Sequence, residues 1–292
     1  MKERIDPLIA ERANWLFDDT AFSALARDVL MRVLGYGKTI AIAQHLENRT
    51  TQEIMRMMGA ILAKDIEVSG LDNIPRRGPA IIVANHPTGV ADGIMLHHAL
   101  SCIREDLFVY ANSDILRVLP QMDDLIVPVE WRLEKRSHSK TRATMSLTRA
   151  ALEKGQLGVI FPAGRLAKRR GLKLYERQWM PSAAMIARKF DVPVIPVNIR
   201  ARNSALFYLF DRIHPSLRDI TLFYETLNKD RQPFRLTVGA PIDMATLPSR
   251  SEEAIDVLRR ATLALGGPRA PEVSLVDNSR QLDWVRRTFV TG

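Results

Sequence analysis

The chain reads as an α/β protein: a mostly parallel central sheet with helices on both faces, preceded by an N-terminal helical segment. Three observations predict this. Short, wholly apolar or β-branched runs recur along the middle of the chain, the pattern of strands buried on both faces. Segments of helical periodicity lie between several of those runs, as in a parallel sheet with crossover helices. The first ~64 residues carry helical patterning alone. The expected organisation is a helical segment over 1–64, one α/β domain over 65–266 and a C-terminal tail over 267–292.

In the helical segment, AFSALARDVLMRVLG places Phe22, Leu25, Val29 and Val33 on one face, and Gly35 is a natural stop. TTQEIMRMMGAILAKD repeats the period with Ile54, Met57, Met58, Ile61 and Leu62, and Thr50 or Thr51 can cap it. Of the methionines there, Met57 and Met58 are expected in the core. Strands are predicted at 80–84, 107–111, 125–129, 157–161, 192–199, 220–224 and 234–238. Helices are predicted at 93–102, 140–154, 182–189 and 252–265, the last stopped by Gly266-Gly267-Pro268. In such sheets ligands bind beyond the carboxyl ends of the strands. His86 and the Pro162-Ala163-Gly164 turn each follow a predicted strand, so both are expected on that edge.

The 292 residues, 46% hydrophobic and 26% charged, have ordinary globular composition. The charged start, MKERIDPLIAERANWLFDD, lacks the apolar core of a signal peptide, and no apolar run reaches the ~18 residues of a spanning helix. Cys102 is the single cysteine, which excludes an internal disulfide and fits a reducing cytosol. A formal net charge of +9 calls for anionic company: nucleic acid, an anionic membrane surface or a phosphorylated partner. The basic stretches lack aromatic interleaving and any nucleic-acid-reading motif, so nucleic acid is not the expected partner.

The chemistry concentrates in IIVANHPTGVADGIML, residues 81–96. A neutral imidazole at His86 can take a proton at cell pH, and a carboxylate at Asp92 can fix its tautomer and stabilise the imidazolium. Alternatively, Asp92 caps a helix and His86 is a turn residue. No serine or cysteine nucleophile is placed beside the pair, which favours direct transfer with the substrate as nucleophile. A second stretch, FPAGRLAKRRGLKLYERQW, carries Arg165, Lys168, Arg169, Arg170, Lys173 and Arg177 against one acid, Glu176, a density suited to phosphate or an anionic surface. Within WRLEKRSHSKTR, Arg132 is nearest a strand end and best placed to reach the site. GYGKT lacks the first glycine and the preceding strand of a P-loop, and adjacent His97 and His98 diverge by ~100° on a helix, which argues against a metal site.

Together these blocks resemble the phospholipid/glycerol acyltransferase superfamily, which includes the lysophosphatidic acid acyltransferases. NHPTGVADG resembles its Asn-His…Asp motif, VIFPAG its Phe-Pro-Glu-Gly block and VPVIPVNI its Val-Pro-Ile-Val-Pro-Val block. The likeness runs over roughly residues 66–242 in the same order. Five residues separate His86 from Asp92, one more than usual, and Ala163 replaces the glutamate. Both departures, with RNSALFY at 202–208, resemble the hemolysin-like branch related to ornithine-lipid acyltransferases, although Arg165 stands where that branch often has an acid.

The resemblance implies acyl transfer from coenzyme A or acyl carrier protein to a hydroxyl or amine of a lysophospholipid, glycerol phosphate or amino-lipid acceptor. His86 would be the general base and Asp92 its orienting acid. Asn85, Gly89, Arg132, Phe161, Pro162, Gly164 and Arg165 would bind substrate, with backbone amides near Gly89 or Gly164 as oxyanion donors. No cofactor or metal is expected, the thioester being a co-substrate. The implied setting is bacterial and cytoplasmic, peripheral on the inner face of the cell membrane, with the donor carrier and the anionic surface as partners. A second expectation is an inactive acyltransferase-like protein that binds anionic lipid or carrier protein, which Ala163 and Arg165 would favour.

Overall fold

A computed structural model describes residues 1–130, 137–267, 270 and 272–279. Four helices open the chain: α1 (Lys2–Arg12), α2 (Ala21–Val33), α3 (Tyr36–Leu46) and α4 (Thr51–Leu62). The alternating region follows as β1 (Ile66–Ser69), β2 (Ala80–Ala84), α5 (Val90–Leu100), β3 (Leu107–Ala111), α6 (Asp114–Val118), β4 (Ile126–Pro128), α7 (His138–Glu153) and β5 (Leu157–Ile160). Then come β6 (Lys168–Arg170), β7 (Lys173–Tyr175), α8 (Ser182–Phe190), β8 (Val194–Arg200), α9 (Ala205–Ile213), α10 (Pro215–Ile220), α11 (Leu222–Leu227), β9 (Phe234–Val238), α12 (Ser251–Ala264) and β10 (Glu272–Ser274).

Local chemistry accounts for several boundaries. Thr50 and Glu53 form a reciprocal capping box that starts α4, and Ser137 caps α7 through the Lys140 amide. Asp191 ends α8 in the left-handed conformation at φ 51°, tolerated by a short polar side chain. One expected strand is absent. Residues 220–224 lie across α10 and α11, because Pro215 opens a helix capped by the His214 ring and short apolar runs do not distinguish strand from helix. Strand β1, the β6–β7 hairpin and β10 escaped the pattern: they are three or four residues long and polar on at least one face.

Seven strands form the main sheet in the order β1-β9-β8-β2-β5-β3-β4. Every pairing is parallel except β8 with β9, so β1 and β9 run against the other five. Strand β2 is central and buried throughout; its register sets Val83 opposite Ile160 on one side and Ala84 opposite Val197 on the other. Successive side chains of β2 go to opposite faces. Ile82 and Ala84 join a core with Ile5, Leu8 and Leu16 of the N-terminal segment and Ile54 and Leu62 of α4. Ile81 and Val83 join a second core with Ala183 and Ala187 of α8 and Ile255 and Leu258 of α12. Each fully buried Val, Leu or Ile among these contributes roughly 1.5–3 kcal/mol. In α4, Met55 and Met58 are buried and Met57 is only half-buried, so the core methionines differ by one from those expected.

Helix α2 is apolar on two sides. Ala26, Leu30 and Met31 pack inward, whereas the predicted face lies outside: Phe22 is 73% exposed and Leu25 65%, with Val29 and Val33 half exposed. Among the described residues no helix is long and apolar enough to cross a membrane.

Candidate functional site

Parallel strands β2, β5 and β8 leave the sheet at one edge, and the predicted residues from Asn85 to Asp92 and from Phe161 to Arg165 follow β2 and β5 there. The turn after β2 is built by Asn85 and Gly89. Both ends of the buried Asn85 amide are used on one residue: Nδ2 donates to the Ile199 carbonyl at 2.8 Å and Oδ1 accepts from the Ile199 amide at 2.7 Å. The side chain thus extends the β2–β8 ladder by one rung. Gly89, at φ 100° and ψ −136°, occupies backbone space reserved for glycine and starts α5.

Asp92, in the first turn of α5, is fully buried. Its Oδ2 accepts from the Thr88 amide at 2.9 Å and the Gly89 amide at 3.1 Å, and its Oδ1 from the Thr88 hydroxyl at 2.5 Å. Nδ1 of His86 stands 2.9 Å from the same Oδ2, at ion-pair distance but without the alignment of a regular hydrogen bond. Such contacts commonly tighten only when substrate is bound. Capping and orientation are therefore not alternatives here: one carboxylate caps the helix and faces the imidazole.

His86 is gripped from a second direction, by the basic stretch. Its ring stacks on Phe161 at 4.4 Å between centroids and 27° between planes. Its amide donates to Glu176 Oε2 at 3.2 Å, and its carbonyl accepts from the Ala167 amide at 2.9 Å. The other Glu176 oxygen takes the Trp179 indole N–H at 2.9 Å. Burial pushes the Glu176 carboxyl up to about 7, against hydrogen bonds from Trp179 and the His86 amide that favour its charged form. Reading charge density alone passed over Glu176, because one acid among six bases looked like a surface counter-charge.

The hairpin of β6 and β7 also explains much of the basic cluster without a ligand. Arg169 lies over the Tyr208 ring, Arg170 over Tyr175, Lys173 pairs with Glu272, and Arg177 donates to the Leu166 carbonyl. Pro162 is buried and its carbonyl accepts from Met180; Gly164 turns at φ 60°; Arg165 is exposed. Of the backbone amides in the two turns where oxyanion donors are expected, those of Gly89 and Gly164 themselves are committed within the protein. That of Gly89 is spent on Asp92 and that of Gly164 on the Phe161 carbonyl at 2.9 Å. Arg132 lies outside the described residues. His97 is buried, which lowers its pKa, and His98 packs over Gly59 of α4.

An imidazole backed by a buried, donor-saturated carboxylate, at the strand edge and beside the positive end of a helix, is equipped to move a proton next to a developing negative charge. Residues 65–200 match the family model described as Acyltransferase. A lyso-glycine lipid O-acyltransferase of Phocaeicola vulgatus is 26% identical over 206 residues, covering 68% of this chain and 72% of the relative. One of the same description from Bacteroides thetaiotaomicron is 25% identical over 187 residues, covering 62% and 67%. Among solved structures, the 1-acyl-sn-glycerophosphate acyltransferase PlsC of Thermotoga maritima is similar at 16% identity and a TM-score of 0.49, covering 84% of this chain and 98% of that one.

Proposed function

We propose that this phospholipid/glycerol acyltransferase moves a fatty acyl group from a thioester carrier, coenzyme A or acyl carrier protein, to the hydroxyl of a lysolipid, with His86 as general base. The observation that carries this is His86 Nδ1 at 2.9 Å from a fully buried Asp92 whose other partners are all donors. With Nδ1 facing the carboxylate, Nε2 takes the hydroxyl proton as the acceptor oxygen attacks the thioester carbonyl. The tetrahedral intermediate then collapses, the carbon–sulfur bond breaks, and the imidazolium returns its proton to the leaving thiolate. Asp92 stabilises the imidazolium between the two transfers. The chemistry calls on no further cofactor. A hydroxyl acceptor is favoured by the O-acyltransferase description of the two relatives.

The enzyme meets its lipid by resting on an anionic bilayer through α2. Trp15 stacks on Phe22 and donates to Ser216, so the exposed face of α2 adjoins α10, and α9 beside it adds exposed Leu209 and Ile213. Apolar surface of this kind with a net positive chain suits peripheral docking.

The test incubates purified protein with acyl-coenzyme A or acyl carrier protein and a panel of lysolipid acceptors, including lyso-glycine lipid and lysophosphatidic acid. Wild type is expected to give a diacylated product that His86→Ala lacks; identical product from the two would refute the chemistry. Co-sedimentation with anionic vesicles is expected for wild type and His86→Ala alike and to drop for Leu25→Asp, whereas equal sedimentation of Leu25→Asp would refute docking through α2.

A further inference from the structure

Arg202 follows β8 by two residues and so leaves the sheet at the edge that carries His86. Its Nε is enclosed and makes no hydrogen bond, and its Nη1 meets only the Asn203 carbonyl, at 3.3 Å. Among the described residues no carboxylate pairs with it. An enclosed, unpartnered guanidinium N–H is costly, because nothing repays the water it has lost. The Nδ2 of the neighbouring Asn203 is enclosed without a partner too, so one short loop withholds two donors from the protein's own acceptors.

That loop is held rigidly. Glu225 of α11 accepts from the amide of Ser204 at 2.8 Å and from its hydroxyl. Lys229, fully buried, donates to Glu225 at 3.0 Å, to Asn203 Oδ1 at 2.9 Å and to Asn228 Oδ1 at 3.2 Å. The Tyr208 hydroxyl accepts from the Asn203 amide at 3.0 Å. The residues on the C-terminal side of Arg202 are thereby fixed, and the loop cannot relax to bury or pair the guanidinium. The site lies nearby: Asn85, next to His86, bonds both backbone groups of Ile199, three residues before Arg202. Glu225 pairs with Lys229 at 3.0 Å and Asp92 faces His86 at 2.9 Å, so neither of these carboxylates is paired with Arg202, which is left as a cation for an anion to meet.

We propose that Arg202 receives the anionic headgroup of the lysolipid acceptor, a phosphate or a carboxylate, and so presents the acceptor hydroxyl to His86. The planar guanidinium offers parallel donors to either oxyanion. Arg202 sets acceptor choice, and the buried lattice of Lys229, Glu225 and Asn203 holds it ready. This rests on the acyl-transfer reading of His86.

The test measures kcat and KM for lysophosphatidic acid and for monoacylglycerol, a neutral acceptor, in wild type, Arg202→Gln and Arg202→Lys. Wild type is expected to prefer the anionic acceptor, and Arg202→Gln to lose about 10- to 100-fold of that preference, chiefly through KM, with Arg202→Lys in between. Each measurement is run with acyl-coenzyme A and with acyl carrier protein; a loss that follows the donor would assign Arg202 to carrier phosphate and overturn the proposal. An equal loss on both acceptors would make Arg202 merely structural, with the thermal midpoint of each variant as a check on folding. Calorimetric titration of the two acceptors, in detergent micelles, into His86→Ala protein reads binding without turnover. If the double variant with Arg202→Gln binds both acceptors as His86→Ala does, the proposal fails even if transfer by wild type stands. If His86→Ala still transfers, the reading of His86 falls and the binding result decides Arg202 alone.

Discussion

Asp92 accepts three hydrogen bonds from Thr88 and Gly89 before His86 is counted, and every one of those donors prefers a charged acceptor. Asp92→Asn would turn an N–H toward at least one of them, disturbing turn and ring together. Transfer is expected to fall ~10²- to 10⁴-fold, read as kcat/KM, while Thr88→Val, which removes only the hydroxyl donor, loses less. Glu176 predicts a pH effect on stability. Its folded pKa of about 7 lies above the ordinary 4.5. Below about 4.5 both folded and unfolded chains hold the proton, and the group contributes nothing to pH dependence. As pH rises from there to about 7 the unfolded chain ionises first, so stability falls across that window, by about 3 kcal/mol, and then levels off. Denaturant unfolding of Glu176→Gln between pH 4.5 and 8 is expected to lose that component of the slope.

At the scale of elements, the start of α5 depends on a backbone that only glycine adopts readily. A Cβ at Gly89 would meet Leu166 at 3.4 Å and Leu222 at 3.8 Å, so space is adequate and the strain lies in φ. Gly89→Ala is expected to cost ~1–3 kcal/mol in urea unfolding and to lower transfer, since the same turn carries His86 and Asp92. The strands nearest the site were legible because β2, β5 and β8 are buried on both faces and therefore continuously apolar. The hairpin that grips His86 was not. It is a surface element, KRR and KLY, whose order comes from cross-strand and ring contacts instead of an apolar period. Periodicity also found the apolar face of α2, but it reports that a face is apolar and says nothing of what covers it. In the site, His86 and Asp92 were legible from residue type and spacing. Glu176 and the committed amides of Gly89 and Gly164 were not, because they depend on which atoms meet after the chain has folded.

Across the whole molecule, β8 joins the two parts of the sheet: it runs parallel to β2 and antiparallel to β9, and its end leads into the loop of Arg202. The lattice beneath that loop centres on a fully buried Lys229, whose pKa burial drives down against the pull of Glu225. Removing one member of a buried ion pair strands the other charge, so Lys229→Met is expected to cost ~3–5 kcal/mol in urea unfolding. Lys229→Met with Glu225→Gln is expected to recover part of that loss.

The contacts of the candidate dyad differ sharply in sequence reach. Thr88, Gly89 and Asp92 meet within five residues, whereas the His86 amide waits for Glu176, ninety positions along the chain. Closing a short loop costs little entropy and a long one more, so the two halves of the arrangement should assemble at different times during folding. Pulse-labelled hydrogen exchange during refolding is expected to protect the Thr88 and Gly89 amides first and the His86 amide later, in step with the amide of Ala167. The refolding chain would then pass through a stage in which Asp92 already caps α5 while His86 is not yet held by Phe161 and Glu176, and activity would return with the slower of the two protections.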